Sequence, residues 1–217
     1  MQQIDLESLR AQAGQFAMHQ SSRNVPKLYG VDNGKSIGTY IENEFSEFMR
    51  GDYEFTFGSA ASGLDLPQLE VDIKTTSITQ PQSSCPYSSA RQKIYGLGYH
   101  LLVFVYDKTD DMTTETSNLD ISHSVFIRKE RTADYQTTTS INRILKNNGN
   151  KDDILGLLED RQIPGDEIQH NQIAEEILED APKVGYVTIS NALQWRLQYN
   201  RAIDKANEVD GIYDMNQ

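Results

Sequence analysis

Cysteine is almost absent: Cys85 is the only one in 217 residues. A lone thiol excludes an internal disulfide and any zinc site built from several cysteines. Long apolar runs are missing as well. The longest, residues 101–106, falls far short of the roughly 20 residues a membrane-spanning helix needs. The N-terminal MQQIDLESLRAQ has no basic stretch followed by an apolar one, so no secretory signal is expected and a cytoplasmic protein is the simplest account. Positive charge is scarce: 20 Lys and Arg against 32 Asp and Glu leave a formal charge of -12. That argues against a passive nucleic-acid coat, whose affinity comes from Lys and Arg. It leaves room for an enzyme that gathers a few basic residues in one cleft and uses carboxylates to hold a metal.

What is present suffices for a sizeable core. Hydrophobic residues make up 37%, with 11 Tyr, 7 Phe and one Trp, the composition of a folded domain and not of a disordered chain. The length fits a single domain over 1–217, with a core over 1–133 and a mainly helical part over 134–217. Residues 4–20 have helical periodicity, and Ser36 precedes a stripe of Ile37, Ile41, Phe45 and Phe48 that predicts a second helix ending near Gly51. From 53 to 75 the period changes to two. YEFTF reads as a strand, GSAASG as a turn, and LEVDIKT as a strand with Leu69, Val71 and Ile73 on one face and Glu70, Asp72 and Lys74 on the other. A short helix over 88–95 leads to HLLVFVYD, apolar on both faces and so central in a sheet. TDDMTTETSNLD reads as a solvated turn and HSVFIRK as another strand. Helices are expected over 138–147, 151–160 and 168–179, a short strand at GYVTIS, and a final helix over 191–205. This order predicts a mixed α/β or α+β fold with a covered central sheet.

The chemistry concentrates in residues 64–76, LDLPQLEVDIKTT. Asp72 and Lys74 are two apart on a strand and leave the same face. Asp65 precedes a Pro-containing turn, and a hairpin there would lay it beside Asp72. Two close carboxylates repel unless a divalent cation sits between them. Magnesium suits a few carboxylate oxygens plus a phosphate, and a lysine beside it can position or deprotonate a water. That inventory suits phosphodiester hydrolysis. The plain alternative is an exposed Asp–Lys pair contributing about 0–1 kcal/mol.

LEVDIKTTS with its upstream Asp resembles the PD-(D/E)XK nuclease superfamily, and VDIKTT in particular resembles type II restriction endonucleases. The family's proline–aspartate pair stands here as Leu64-Asp65. Gly38-Thr39-Tyr40-Ile41-Glu42 is similar to the Gly-x-x-x-Glu by which many such nucleases bring a glutamate to the metal; Glu44 and Glu47 remain alternatives. Over residues 35–107 the resemblance implies a restriction-endonuclease-like central mixed β-sheet flanked by helices. It implies magnesium at Asp65 and Asp72 with the Ile73 carbonyl, Lys74 on the attacking water, and Glu42 on a second ion or a water. The helix after the lysine strand offers Arg91, Gln92 and Lys93 to DNA, and the loop before it offers Ser83 and Ser84 as neutral donors. The implied function is a site-specific cut in double-stranded DNA by a homodimer in a prokaryotic cytoplasm. A repair nuclease of the same fold and a non-catalytic DNA-binding module are the rivals. Over 191–205, a helix with Gln194, Arg196 and Gln198 could enter a major groove or pack Trp195 and Tyr199 into a core.

Overall fold

The computed structural model describes residues 2–58, 63–86, 88–190 and 195–216. In chain order the elements are β1 (Gln2–Gln3), α1 (Leu6–Ser21), β2 (Asn24–Val25), α2 (Gly34–Arg50), β3 (Tyr53–Glu54), β4 (Val71–Ser77), β5 (Gln82–Cys85) and α3 (Arg91–Tyr95). They continue with β6 (His100–Asp111), β7 (Thr116–Ile127), α4 (Tyr135–Lys146), α5 (Lys151–Asp160) and α6 (Glu167–Glu179). The last are β8 (Thr188–Ile189), β9 (Trp195–Gln198), α7 (Asn200–Asp204) and β10 (Ile212–Asp214). The fold is mixed α/β, and the chain forms two compact units, each with its own core.

The first unit takes in residues 1–83, 100–127 and 203–217. Its sheet runs β10-β7-β6-β4, with β2 also paired along β7. β4 runs parallel to β6, Val71 beside His100 through Ser77 beside Tyr106. β6 and β7 form a long antiparallel ladder. Helices α1 and α2 pack into the core of this sheet. Asp5 caps α1 by accepting the Ser8 N–H at 2.7 Å, and Asn33 caps α2 by accepting that of Lys35 at 2.9 Å, each satisfying a donor the helix leaves open. Phe16 of α1, Phe45 of α2 and Phe104 of β6 meet with ring centroids 5.0–5.5 Å apart, the tilted and edge geometry aromatic rings favour. Gly14 lets α1 approach the C-terminal residues: a Cβ there would lie 2.8 Å from the Met215 carbonyl oxygen.

The second unit takes in residues 84–99 and 128–202. Its core is Ile94 of α3, Ile141 of α4, Ile154 and Leu158 of α5, and Ile173 and Ile177 of α6, all fully buried. β8 pairs antiparallel with β9, in a small sheet ordered β5-β9-β8. Asp134 ties this sheet to α4. Its carboxylate accepts the Thr137 N–H at 2.8 Å, the Thr137 hydroxyl at 2.7 Å and the Ile189 N–H at 2.8 Å.

Several elements depart from their sequence patterns. YEFTF forms only the two-residue β3, parallel to β1. The strand expected from Leu69 begins at Val71, because Pro67–Leu69 is a 3-10 turn and Glu70 adopts φ 53°. Part of TDDMTTETSNLD lies in the β6–β7 ladder, whose turn is confined to residues 112–115. The final helix is confined to Asn200–Asp204, with residues 195–198 in strand; residues 191–194 lie outside the described residues, as do 59–62 of the expected GSAASG turn.

Candidate active site

β4 lies at the end of the first unit's sheet, so one of its edges is free to receive a neighbour. The 3-10 turn supplies that neighbour by folding the chain back. Leu66 and Val71 exchange backbone hydrogen bonds of 3.0 and 3.2 Å. Two residues out from this bridge, an Asp65 carboxylate oxygen accepts the Ile73 N–H at 2.7 Å. A strand residue sends its N–H and C=O to the same edge. The Ile73 carbonyl therefore leaves β4 on the side where Asp65 sits.

Asp72 and Lys74 share one face of β4. Lys74 Nζ donates to Asp72 Oδ2 at 2.6 Å. Asp72 is 7% exposed. Burial pushes its carboxyl up to about 6; Lys74 opposes this, and the Asp65 carboxyl, close enough to share a proton with it, adds to it.

Three acids on α2 are candidates for this place, and their partners separate them. Glu44 is held by Arg23 at 2.7 Å and Lys27 at 3.3 Å. Glu47 pairs with Arg50 at 3.3 Å on the surface. Glu42 alone of the three is coupled to Asp65, Asp72 and Lys74. Burial first, then the Asp65 charge, push its carboxyl up to about 7, and Lys74 pulls the other way. Gly38, one turn earlier, faces β4: a Cβ there would come 3.7 Å from Thr75 Cβ and 4.0 Å from Glu42 Oε1. The Thr75 hydroxyl is buried with no hydrogen-bond partner. Sequence reasoning gave Thr75 no role, although the small residue opposite it in Gly-x-x-x-Glu was a sign of close approach.

Three carboxyls and one ammonium thus gather at the β4 edge. Two of the acids are held above their ordinary range, by burial first and then by the neighbouring Asp65 carboxyl. Among the described residues no three His, Cys, Asp or Glu side chains form a ready cage. Asp65, Asp72 and the Ile73 carbonyl are the oxygen donors here that could hold a hard divalent cation, which takes one or two protein carboxylates and leaves its other positions to water and phosphate.

The residues expected to meet DNA from the second unit are occupied within it. Arg91 grips Glu176 through two bonds of 2.7 and 2.6 Å. Gln92 donates to the Leu97 carbonyl at 3.2 Å. Lys93 is 3% exposed, with its ammonium 5.7 Å from the Trp195 ring; burial lowers its pKa against the pull of Asp134. For Arg91 and Lys93 the pattern could not reveal this, because Glu176, Trp195 and Asp134 lie far along the chain. On β5, Ser84 is exposed and Ser83 half-buried.

Residues 3–214 match the family model of the type II restriction enzyme NspV. The curated type II restriction enzyme NspV of Nostoc sp. (strain ATCC 29411 / PCC 7524) is 53% identical over 209 residues, covering 96% of this chain and 95% of that protein. Among solved structures, the tetrameric restriction endonuclease SfiI bound to cognate DNA aligns over 96% of this chain and 81% of its own, with a TM-score of 0.40 and 9% identity.

Proposed function

This chain belongs to the NspV family of type II restriction enzymes, and from that premise we propose that its site-specific cut in double-stranded DNA is made at the β4 edge, in the manner of a PD-(D/E)XK nuclease. The observation that carries this assignment is the meeting of Asp65, Asp72, Lys74 and Glu42 at one free strand edge.

Asp65 and Asp72, with the Ile73 carbonyl, would hold magnesium. The ion, when bound, lowers the pKa of a water and offsets the charge that develops on the phosphate. Lys74, beside Asp72, would orient the water that attacks phosphorus. Glu42 would bind a second ion or hold a water bound to the first. A palindromic target calls for two copies related by a two-fold axis, so the enzyme acts as a homodimer. The second unit supplies recognition or dimer contacts. Such a function places the protein in a prokaryotic cytoplasm.

Plasmid digestion tests this reading. Discrete fragments with magnesium and none with chelator are expected. Asp72→Ala should remain folded and still bind the target, but not cut. Wild-type turnover by a folded Asp72→Ala protein would remove the reaction from this edge.

A further inference from the structure

Outside the reaction centre, the second unit carries a face with the make-up of a groove reader. β9 alternates strictly. Trp195, Leu197 and the following Tyr199 are buried at 2%, 0% and 0% exposure, while Arg196 and Gln198 stand exposed between them. Across the ladder, Thr188 lies opposite Gln198 and Ile189 opposite Leu197. Ser190 extends the pairing: its N–H donates to the Arg196 carbonyl at 3.1 Å, and its hydroxyl accepts the Arg196 N–H at 3.0 Å. One face of β8 and β9 therefore carries Thr188, Ser190, Arg196 and Gln198, all hydrogen-bonding groups and none acidic. The other face is core, and the Ile189 N–H is pinned by Asp134. β9 is also the middle strand of its sheet.

The protein's other cations make Arg196 stand out. The chain has 20 Lys and Arg, and most are committed. Arg91 holds Glu176, Arg161 holds Gln136, and Arg201 lies 3.7 Å from the Tyr135 ring centroid. Among the described residues, only Lys35, Arg143, Lys146 and Arg196 have no side-chain hydrogen bond, ion pair or ring contact. Three of these are on helices; Arg196 is on a strand, beside a Gln that is equally unpartnered. A compact ammonium suffices to meet a phosphate. A planar guanidinium next to a carboxamide is a different inventory. Arg pairs bidentately with guanine O6 and N7, and Gln with adenine N6 and N7.

We propose that Arg196 and Gln198 are base-reading residues, taking a guanine and an adenine in the major groove of the target. The proposal rests on the restriction-enzyme function above and names part of its specificity. Side chains two apart on a strand stand about 7 Å apart, and bases step by about 3.4 Å. The two base pairs read should thus lie within about two steps of each other.

The test starts from the wild-type target, mapped by sequencing the ends of digested plasmid. kcat/KM is then measured on the cognate duplex, on duplexes with one base pair replaced, and on duplexes with 7-deazaguanine or 7-deazaadenine at single positions. Arg196→Ala should lose about 5- to 150-fold on the cognate duplex, the range for one bidentate contact, and lose discrimination at one G·C pair only. 7-Deazaguanine at that pair should slow the wild type and cost Arg196→Ala nothing further. Gln198→Ala with 7-deazaadenine should behave likewise at one A·T pair. Both side chains are exposed, so the variants should keep wild-type circular dichroism. An equal loss on every duplex, with the salt slope of the homodimer reduced by about 2, one phosphate per copy, would make Arg196 a phosphate contact and overturn the proposal. Unchanged discrimination in both variants would overturn it too, leaving the parent function standing on the wild type's discrete fragments. A wild type that gives no discrete fragments would overturn both.

Discussion

At Lys74 the ion pair with Asp72 is 2.6 Å long, and an ordinary surface pair of that kind contributes about 0–1 kcal/mol. Here Asp72 is buried and two further carboxyls bear on it or on Lys74, so removing the ammonium changes the chemistry more than the stability. Lys74→Ala should slow single-turnover cleavage by about 10²- to 10⁴-fold, the range of one acid–base or electrostatic contribution. The measurement belongs at saturating magnesium and about pH 8, because loss of Lys74 lifts the Asp72 pKa and sets protons against the ion at lower pH. Lys74→Arg should recover little, since a planar fork cannot replace a compact charge at one point. A Lys74→Ala enzyme within about threefold of wild type, below that range, would sink the assigned mechanism. Glu42 gives a second prediction. Its carboxyl is raised from 4.5 to about 7 in the fold, so between those values the folded protein keeps a proton that the unfolded chain has released. Stability then falls as pH rises through that window, because the folded state binds the excess protons. In chelator, Glu42→Gln should melt about 2–4 °C or more above wild type at pH 7.5, the shift that about 1 kcal/mol gives at this chain length. The gap should close at pH 4. A Glu42→Gln protein melting below wild type at pH 7.5 would show that burial and the Asp65 charge do not penalise the Glu42 carboxylate.

Among the elements, Asp134 makes a third prediction possible. A helix cap ordinarily contributes about 1 kcal/mol, but the Asp134 carboxylate also accepts the Ile189 N–H and is 4% exposed. Asp134→Ala leaves buried donors on both α4 and β8 without partners, each costing about 1–3 kcal/mol. Chemical denaturation should show a loss of about 2–4 kcal/mol, more than the cap alone, with amide exchange quickened in β8 and β9. A loss under about 1 kcal/mol would show that α4 and the β8–β9 sheet do not depend on this link. The sequence made the elements around the candidate site legible, because each was set locally. Leu64–Pro67 marked the turn, VDIKT alternated with period two, and the α2 stripe kept helical spacing. What it could not show was decided by distant partners. Residues 195–198 carry good helix formers, yet Trp195 and Leu197 go to one side and Arg196 and Gln198 to the other because β8 is there to pair with. Ile212–Asp214 is too short to signal a strand and becomes one only against residues 125–127 of β7. On α2, three glutamates looked alike until Arg23 and Lys27 claimed Glu44.

For the whole molecule, the balance between a polyanionic substrate and a -12 protein has to be met by the cations left uncommitted. Long-range attraction is weak or adverse, so binding depends on contact and on release of counterions from the DNA. With Arg196 reading a base, Lys35, Arg143 and Lys146 remain to meet phosphates. Each neutralised phosphate contributes a slope of about -0.9 in log K against log salt. One protomer should therefore give a slope near -3 and a homodimer one near -5, on the same counterion-release relation. Binding of the cognate duplex in calcium, in place of magnesium to restrain cleavage, titrated from dilute to physiological salt, measures it. Lys146→Ala should weaken cognate and non-cognate DNA alike and flatten the dimer slope by about 2, one phosphate per copy. A wild-type slope near -10 would mean that pairs such as Arg91–Glu176 open on binding and lend their cations to DNA. A flat response would mean that phosphate contacts contribute almost nothing, and that neutral donors such as Ser84 and backbone N–H groups hold the duplex instead.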